Sequence, residues 1–331
     1  MNQKDLLETS KTKAVEVIKN SQSFLLSCHI HPDGDALGST VAMAHALLSQ
    51  NKKVTATFSD PFVIPNSLKE TLPGIETIVK PFSQVSGEFD AIITFDCGAK
   101  TRLGDVANKF DEVTNVINVD HHISNEGFGT INVIDPNAAS SGSVVLSILD
   151  QLDIELTKDI AQCLYVALLT DTGRFQFSST TPDVFEQARR YSEFNLPIAQ
   201  MSRVLTEEDS LSLLKLVGEI LSDMVYDENL KFVYALATIE MRNKYDVSYE
   251  NLENVIEFVR RTKEADVAFV LKEFELGDYR GSLRSLGVID VCKIAENFGG
   301  GGHKFAAGFS SAETPENITK KVAEAIKNQR R

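Results

Sequence analysis

The sequence has no tryptophan and only four cysteines in 331 residues. Cys28, Cys97, Cys163 and Cys292 are far apart and form no CxxC pair, which argues against a zinc knuckle or a disulfide framework. They are expected as reduced thiols in or near the core, where free cysteine usually sits. Positive charge is also scarce: 33 Lys and Arg face 47 Asp and Glu, for a formal charge of -14. Long nucleic acids are held largely through neutralised phosphates, so a chain this acidic is not expected to grip long duplex DNA or a long strand. A small anionic substrate stays open if cations and a few basic groups gather positive charge in one place. No apolar run approaches the roughly 18 residues that span a bilayer. The opening MNQKDLLETSKTK is polar and lacks a signal-peptide apolar region. No membrane partner is expected, and the expected location is the cytoplasm.

What is present suffices for two domains with real cores, given 43% hydrophobic and 24% charged residues. The first half alternates. KAVEVIKN reads as a helix and Ser23 to Cys28 as a buried strand. Residues 36–50 read as a helix on apolar spacing, KKVTATFS as a second strand, DAIITFD (90–96) as a third and VINVD (116–120) as a fourth. Residues 141–151 and 158–170 read as helices. This β-α-β rhythm with apolar strands predicts a mostly parallel sheet flanked by helices. The texture changes near residues 195–215, where a helical stretch has an expected N-cap at Thr206. Beyond it, residues 231–239 read as a strand and ENLENVIEFVRRTK as a helix. DVAFVLKEF and YRGSLRSL read as strands joined by a turn at Gly277–Asp278, before a Gly-rich run and a last helix. The expected division is a domain at 1–192, a helical linker at 193–222 and a smaller α/β domain at 223–331.

Acids and histidines fall at the ends of these elements. The first strand runs into HIHPDGDALGS (29–39), the third ends at Asp96 in FDCG, the fourth ends at Asp120-His121-His122, and a helix ends at Thr170-Asp171-Thr172-Gly173. Each alone reads as a cap or a turn. Together they converge on the carboxyl edge of a parallel sheet, where such folds bind ligands. So many carboxylates without cations would repel one another, so divalent metal is expected. Oxygen and imidazole donors without thiolate suit Mn²⁺ first, then Mg²⁺, Co²⁺ or Fe²⁺. Six side chains exceed the needs of one such ion with an open position. Two ions about 3.5–4 Å apart, sharing a carboxylate, fit phosphoryl chemistry.

The ordered set HIHPDGDALGS, FDCG, VDHH, TDTGRF and GGGGHKFAAGF resembles the DHH phosphoesterase superfamily, in its two-domain subfamily with a DHH-associated C-terminal domain. The resemblance covers nearly the whole chain. It implies that His29 and Asp33 hold a first metal ion, that Asp35, His121 and Asp171 hold a second, and that Asp96 bridges them. It implies that His122 faces the scissile phosphate and that Asp120 orients the histidines. His31, where relatives commonly carry Asn, is not a ligand position. In the C-terminal domain the resemblance implies a substrate-binding set of Arg284, Ser285, Gly301, Gly302 and His303. Gly-rich backbone admits an anion closely, and an arginine offers a planar fork to a terminal phosphate. Arg102, shortly after FDCG, is a further candidate for phosphate contact.

The function this implies is hydrolysis of very short oligoribonucleotides to nucleoside monophosphates, together with dephosphorylation of 3′-phosphoadenosine 5′-phosphate (pAp). A fixed distance between the metals and Arg284/His303 would admit only short substrates. The alternative is a stand-alone phosphodiesterase for cyclic dinucleotides or their linear products, which uses the same catalytic motifs. Relatives are often dimers, which leaves a homodimer open, although no interface is legible from spacing.

Overall fold

The computed structural model describes residues 3–252 and 254–330. The chain divides into two compact units, Met1–Glu208 and Asp209–Arg331.

The first unit holds five parallel strands: β1 (Ser23–Cys28), β2 (Lys53–Thr57), β3 (Ala91–Phe95), β4 (Asn115–Asp120) and β5 (Ile131–Ile134). Their order is β2-β1-β3-β4-β5. After β1 the chain first goes to one side and then crosses to the other, so the order reverses beside β1 and β3. The unit's helices are α1 (Gln3–Asn20), α2 (Gly34–Ser49), α3 (Asn66–Thr71), α4 (Ile75–Ile78), α5 (Ser141–Leu152), α6 (Lys158–Asp171), α7 (Pro182–Ser192) and α8 (Ile198–Thr206).

Apolar residues occupy both faces of this sheet, which is why its strands read as continuous apolar runs. Leu26, Ile93 and Ile117 pack into the core shared with α1, α2, α5 and α6. Leu25, Ile92 and Val116 point the other way, against Leu103, Val106 and Phe110 of the 3₁₀ segment Lys100–Glu112. Helices α2 and α6 approach closely because α2 carries glycine where they meet. A Cβ on Gly38 would sit 2.7 Å from the Cys163 carbonyl oxygen, and one on Gly34 would sit 2.5 Å from the Thr170 side chain.

The second unit begins with α9 (Leu211–Ser222) and adds α10 (Ile239–Tyr245), α11 (Val255–Val259), α12 (Val291–Glu296) and α13 (Pro315–Gln329). Its strands are β6 (Val225–Asp227), β7 (Phe232–Ala237), β8 (Val267–Glu275), β9 (Asp278–Ser285), β10 (Gly301–His303) and β11 (Ala306–Ser311). They form a mixed sheet ordered β10-β11-β9-β8-β7-β6, with β7 and β8 parallel and the other pairs antiparallel. Ala268 and Val270 face a core built with α9 and α11. Val267, Phe269 and Leu271 face another built with α12 and α13.

The stretch 193–222, expected as a helical linker, carries α8 in the first unit and α9 in the second. Thr206 is not an N-cap: it is the last residue of α8, and its hydroxyl donates to the Ser202 carbonyl. Ser210 caps α9 instead, accepting from the Leu213 N–H at 3.1 Å. The expected helix over 250–263 is confined to a 3₁₀ turn, Tyr249–Leu252, and the short α11; its residue 253 lies outside the described residues. Strand β5 was not anticipated. Helix α1 begins ten residues before the expected KAVEVIKN. Cys28, Cys97 and Cys163 are buried, Cys292 is half-buried, and all four are free thiols.

Candidate metal centre

The carboxyl ends of β1, β3 and β4 lie side by side, and each hands its chain to a polar loop. After β1, Asp33 caps α2, its Oδ1 accepting from the Asp35 and Ala36 N–H groups at 3.1 and 3.0 Å. Asp35 therefore stands in the first turn of a buried helix. After β3, Asp96 adopts a left-handed backbone (φ 53°) while its N–H donates to the Val119 carbonyl of β4. A non-glycine residue in that conformation is uncommon, and here it turns the carboxylate back toward the other loops. Asp120 ends β4, and His121 and His122 follow. Asp171 ends α6.

These side chains meet. His29 Nε2 is 3.5 Å from Asp96 Oδ2. His121 Nε2 is 3.1 Å from Asp171 Oδ2 and 3.7 Å from both Asp35 Oδ2 and Asp96 Oδ1. His29, Asp33 and Asp96 form one group compact enough to hold an ion; Asp35, Asp96 and His121 form another. Asp96 is common to both. A third group, Asp96, Asp120 and His122, lies alongside.

Two features make this donor set suited to metal. The first is the histidine tautomer. His29 Nδ1 lies 2.8 Å from the Ile30 carbonyl, and His121 Nδ1 lies 3.2 Å from the Ala138 carbonyl. A carbonyl can only accept, so Nδ1 carries the proton in both rings and Nε2 is turned toward the carboxylates. This is how metal-binding imidazoles are commonly oriented. The second is the electrostatic load. Burial, then the neighbouring Asp96 and Asp171 charges, push the Asp35 pKa well up. Burial also raises Asp171, against its bond to His121. Burial opposes charge on His121 too, but the Asp171 bond and the Asp171, Asp35 and Asp96 charges outweigh it and push the ring up to about 11. The imidazolium supplies the positive charge that the carboxylates require, a task a divalent cation performs more fully. Asp96 goes the other way: burial is outweighed by the His29 bond and the charges of His122, His29 and His121, and its pKa falls far below the carboxylate range.

Several supporting residues, all but Ser39 outside the motifs, hold these side chains. Helix α5 points its N-terminus at Asp35, whose Oδ2 accepts from the Ser141 N–H at 2.6 Å and whose Oδ1 accepts from the Gly142 N–H at 2.9 Å. Ser39 adds a hydroxyl to Asp35 at 3.1 Å, and the Ser141 hydroxyl donates to Asp96 at 3.1 Å. Asn125 donates to Asp120 Oδ2 and to the Cys97 carbonyl, so it ties the Asp96 loop to the histidine loop. Ser141 was expected only as part of a helix, and Asn125 carried no expectation. Their roles come from contacts distant in sequence, which no local spacing encodes.

Asp120 Oδ1 accepts from the His121 and His122 N–H groups and, at 2.7 Å, from His122 Nδ1. His122 Nε2 is thereby left on the far side of the ring. Arg102 is exposed on the 3₁₀ segment. Its carbonyl accepts from the Ile30 N–H, and its charge bears on His29.

In the second unit, Arg284 lies on β9, its Nε donating to Glu257 at 3.1 Å and its Nη1 to the Leu283 carbonyl. Glu257 also binds Arg260. Register sets His303 opposite Ala306 and Ala306 opposite Arg284, so His303 and Arg284 stand level on one face. Ser285 alternates to the other face, where its hydroxyl accepts from the Gly287 N–H. Gly301 and Gly302 line β10. Gly302 has φ 141°, and a Cβ there would meet the Ala306 carbonyl at 2.5 Å.

Comparison with known proteins follows the same division. The sequence model described as "DHH family, N-terminal domain" matches residues 23–168, and that of the DHHA1 domain matches residues 229–329. The chain is 30% identical over 295 residues to the bifunctional oligoribonuclease and PAP phosphatase NrnA of Thermus thermophilus, covering 88% of this chain and 86% of that one. The crystal structure of an exopolyphosphatase-related protein from Bacteroides fragilis superposes with a TM-score of 0.87 at 24% identity, over 97% of this chain and 96% of that one. RecJ of Thermus thermophilus in complex with Mn²⁺ has a TM-score of 0.56 at 13% identity, covering 98% of this chain and 55% of that one. These two likenesses are of fold.

Proposed function

The chain belongs to the DHH family, in its two-domain form with a DHHA1 domain, and from that premise we propose that it hydrolyses very short oligoribonucleotides to nucleoside monophosphates and removes a phosphate from pAp. The observation that carries the reading is Asp96. It is the carboxylate shared by the His29–Asp33, the Asp35–His121 and the Asp120–His122 groups, at the edge of a parallel sheet where the strand order reverses. The T. thermophilus relative, named for both activities, points to the substrate class.

In this reading His29 and Asp33 hold one divalent ion, Asp35, His121 and Asp171 hold a second, and Asp96 bridges them. The donor set favours Mn²⁺, with Mg²⁺, Co²⁺ and Fe²⁺ as substitutes. Bound ions supply activation of the attacking water and neutralisation of charge on the phosphoryl oxygens. The residues do the rest. Helix α5 and Ser39 hold Asp35 at a fixed angle, and Ser141 does the same for Asp96. Asp120 fixes the His122 ring so that its Nε2 meets the scissile phosphate and assists proton transfer to the leaving oxygen. Arg102 contributes a phosphate contact beside the metals. Arg284, Ser285, Gly301, Gly302 and His303 receive the remainder of the substrate, with Glu257 holding the Arg284 guanidinium in place.

Assays with Mn²⁺ on pAp, a 5′-phosphorylated RNA dinucleotide, an RNA 24-mer and cyclic di-AMP at matched concentrations test the reading. Turnover of the first two is expected. Hydrolysis of the 24-mer alone, or of cyclic di-AMP alone, would overturn it.

A further inference from the structure

The two faces of the second unit's sheet differ in character. Residues alternate along a strand, and register sets Arg284 opposite Ala268, Ser282 opposite Val270 and Arg280 opposite Lys272. Ala268 and Val270 face the core built with α9 and α11, so Arg280, Ser282 and Arg284 share that side. On the next strand Gly308 stands opposite Ser282 and Ala306 opposite Arg284. The face between the two arginines is therefore floored by small side chains. Four residues of extended chain separate Arg280 from Arg284 by about 13 Å.

Arg280 does not lie idle at its end of the face. Its guanidinium sits over the Phe274 ring, 4.7 Å from the centroid, and the side chain is 40% exposed. Tyr249 meets Phe274 edge-on at 4.8 Å. Arg242 and Lys272 lie over the Tyr249 ring at 5.6 and 5.9 Å. Arg242 is itself tied to the Glu273 and Phe274 carbonyls. Asp278 is the carboxylate paired with Arg280, at a long 3.9 Å. Two partly exposed arginines, a buried lysine and two aromatic rings thus gather at one end of a sheet face in a chain whose formal charge is -14.

We propose that Arg280, seated on the Phe274 ring that Tyr249 meets edge-on, is a second recognition point for single-stranded RNA. It takes a nucleotide farther along the oligoribonucleotide than the one whose phosphate Arg284 receives. Unstacked bases are recognised by stacking on aromatic rings or on guanidinium planes, and nearby cations hold the backbone. Arg280 offers such a plane on the side away from Phe274. On this spacing, in the proposal, a single nucleoside bisphosphate sits at Arg284 alone and a short oligonucleotide lies across both arginines. The proposal rests on the function proposed above and adds a length preference within it.

The test is equilibrium binding to the Mn²⁺-loaded full chain. One probe is a fluorescent 5′-phosphorylated RNA trinucleotide with phosphorothioate linkages, which hydrolyse slowly; pAp is measured by competition. Arg280→Ala is expected to raise the trinucleotide Kd relative to the pAp Kd by about tenfold. Arg280→Lys, which keeps charge but not the plane, is expected to recover only part of the loss. Phe274→Leu is expected to follow Arg280→Ala. Equal weakening for both probes, or none for the trinucleotide, would overturn the proposal, as would a wild-type chain that does not bind the trinucleotide. A wild-type chain that binds the trinucleotide with this Arg280 dependence, yet hydrolyses no short RNA, would sink the enzymatic reading and leave the binding point standing.

Discussion

At the scale of single residues, the centre is defined by what each side chain is prevented from doing. The His29 and His121 rings cannot flip without losing the bonds from Nδ1 to the Ile30 and Ala138 carbonyls. Asp35 cannot swing without losing two backbone N–H groups of α5. Such restraint is what a supporting hydrogen bond contributes to a metal ligand. Ser141→Ala removes the hydroxyl on Asp96 and is expected to weaken metal affinity by about 10- to 100-fold, read by calorimetric titration with Mn²⁺; unchanged affinity would mean that Ser141 does not act through Asp96. Protonation gives a second prediction at this scale. The His121 pKa is raised to about 11, so the ring is charged at pH 7.5, while an imidazole must give up a proton to bind a metal. Mn²⁺ binding at pH 7.5 should therefore release protons, measured as a dependence of the binding enthalpy on the ionisation enthalpy of the buffer. A buffer-independent enthalpy would count against His121 as a ligand.

Among the elements, the decisive contact is between α2 and α6, which bring Asp35 and Asp171 to the same place. Gly34 and Gly38 allow it, since any side chain at Gly38 collides with the Cys163 carbonyl and Ala167. Gly38→Val is expected to cost about 2 kcal/mol through overpacking, seen as a Tm drop of about 4–8 °C for a unit of this size, with metal affinity falling alongside. A variant of wild-type Tm would refute the close-packing account.

This level also shows what sequence reading could reach. Strand β1 was legible to the residue, because SFLLSC is apolar and ends at a polar loop. The ends of α5 and α6 were nearly so, because their apolar spacing is regular. Strand β5, INVI, was missed because four residues carry too little pattern, and only pairing with β4 makes it a strand. Thr206 was misread because a threonine before acidic residues resembles a cap, whereas Ser210 supplies the bond that defines one. The acids and histidines at the strand ends stood out by residue type and position, whereas their division into ligand sets and the Arg284 set came from the family resemblance. Ser141 and Glu257 could not be named in advance, because Asp96 and Arg284 lie far from them in sequence, nor could the tie from Asn125 to the Cys97 carbonyl.

At the scale of the whole molecule, each unit has cores of its own, and the donor groups assigned to metal all belong to the first. No helix among the described residues is long and apolar enough to cross a membrane. A ligand stabilises the structure that binds it. Calorimetry should therefore show Mn²⁺ raising the transition of the first unit, with Asp96→Asn reducing the rise. The central claim is the shared carboxylate, and metal stoichiometry tests it most directly. Equilibrium dialysis against Mn²⁺ should find two ions per wild-type chain and one or none in Asp96→Asn, with hydrolysis of pAp lost in the variant. One ion per wild-type chain, or two ions and near-normal turnover in Asp96→Asn, would contradict the account.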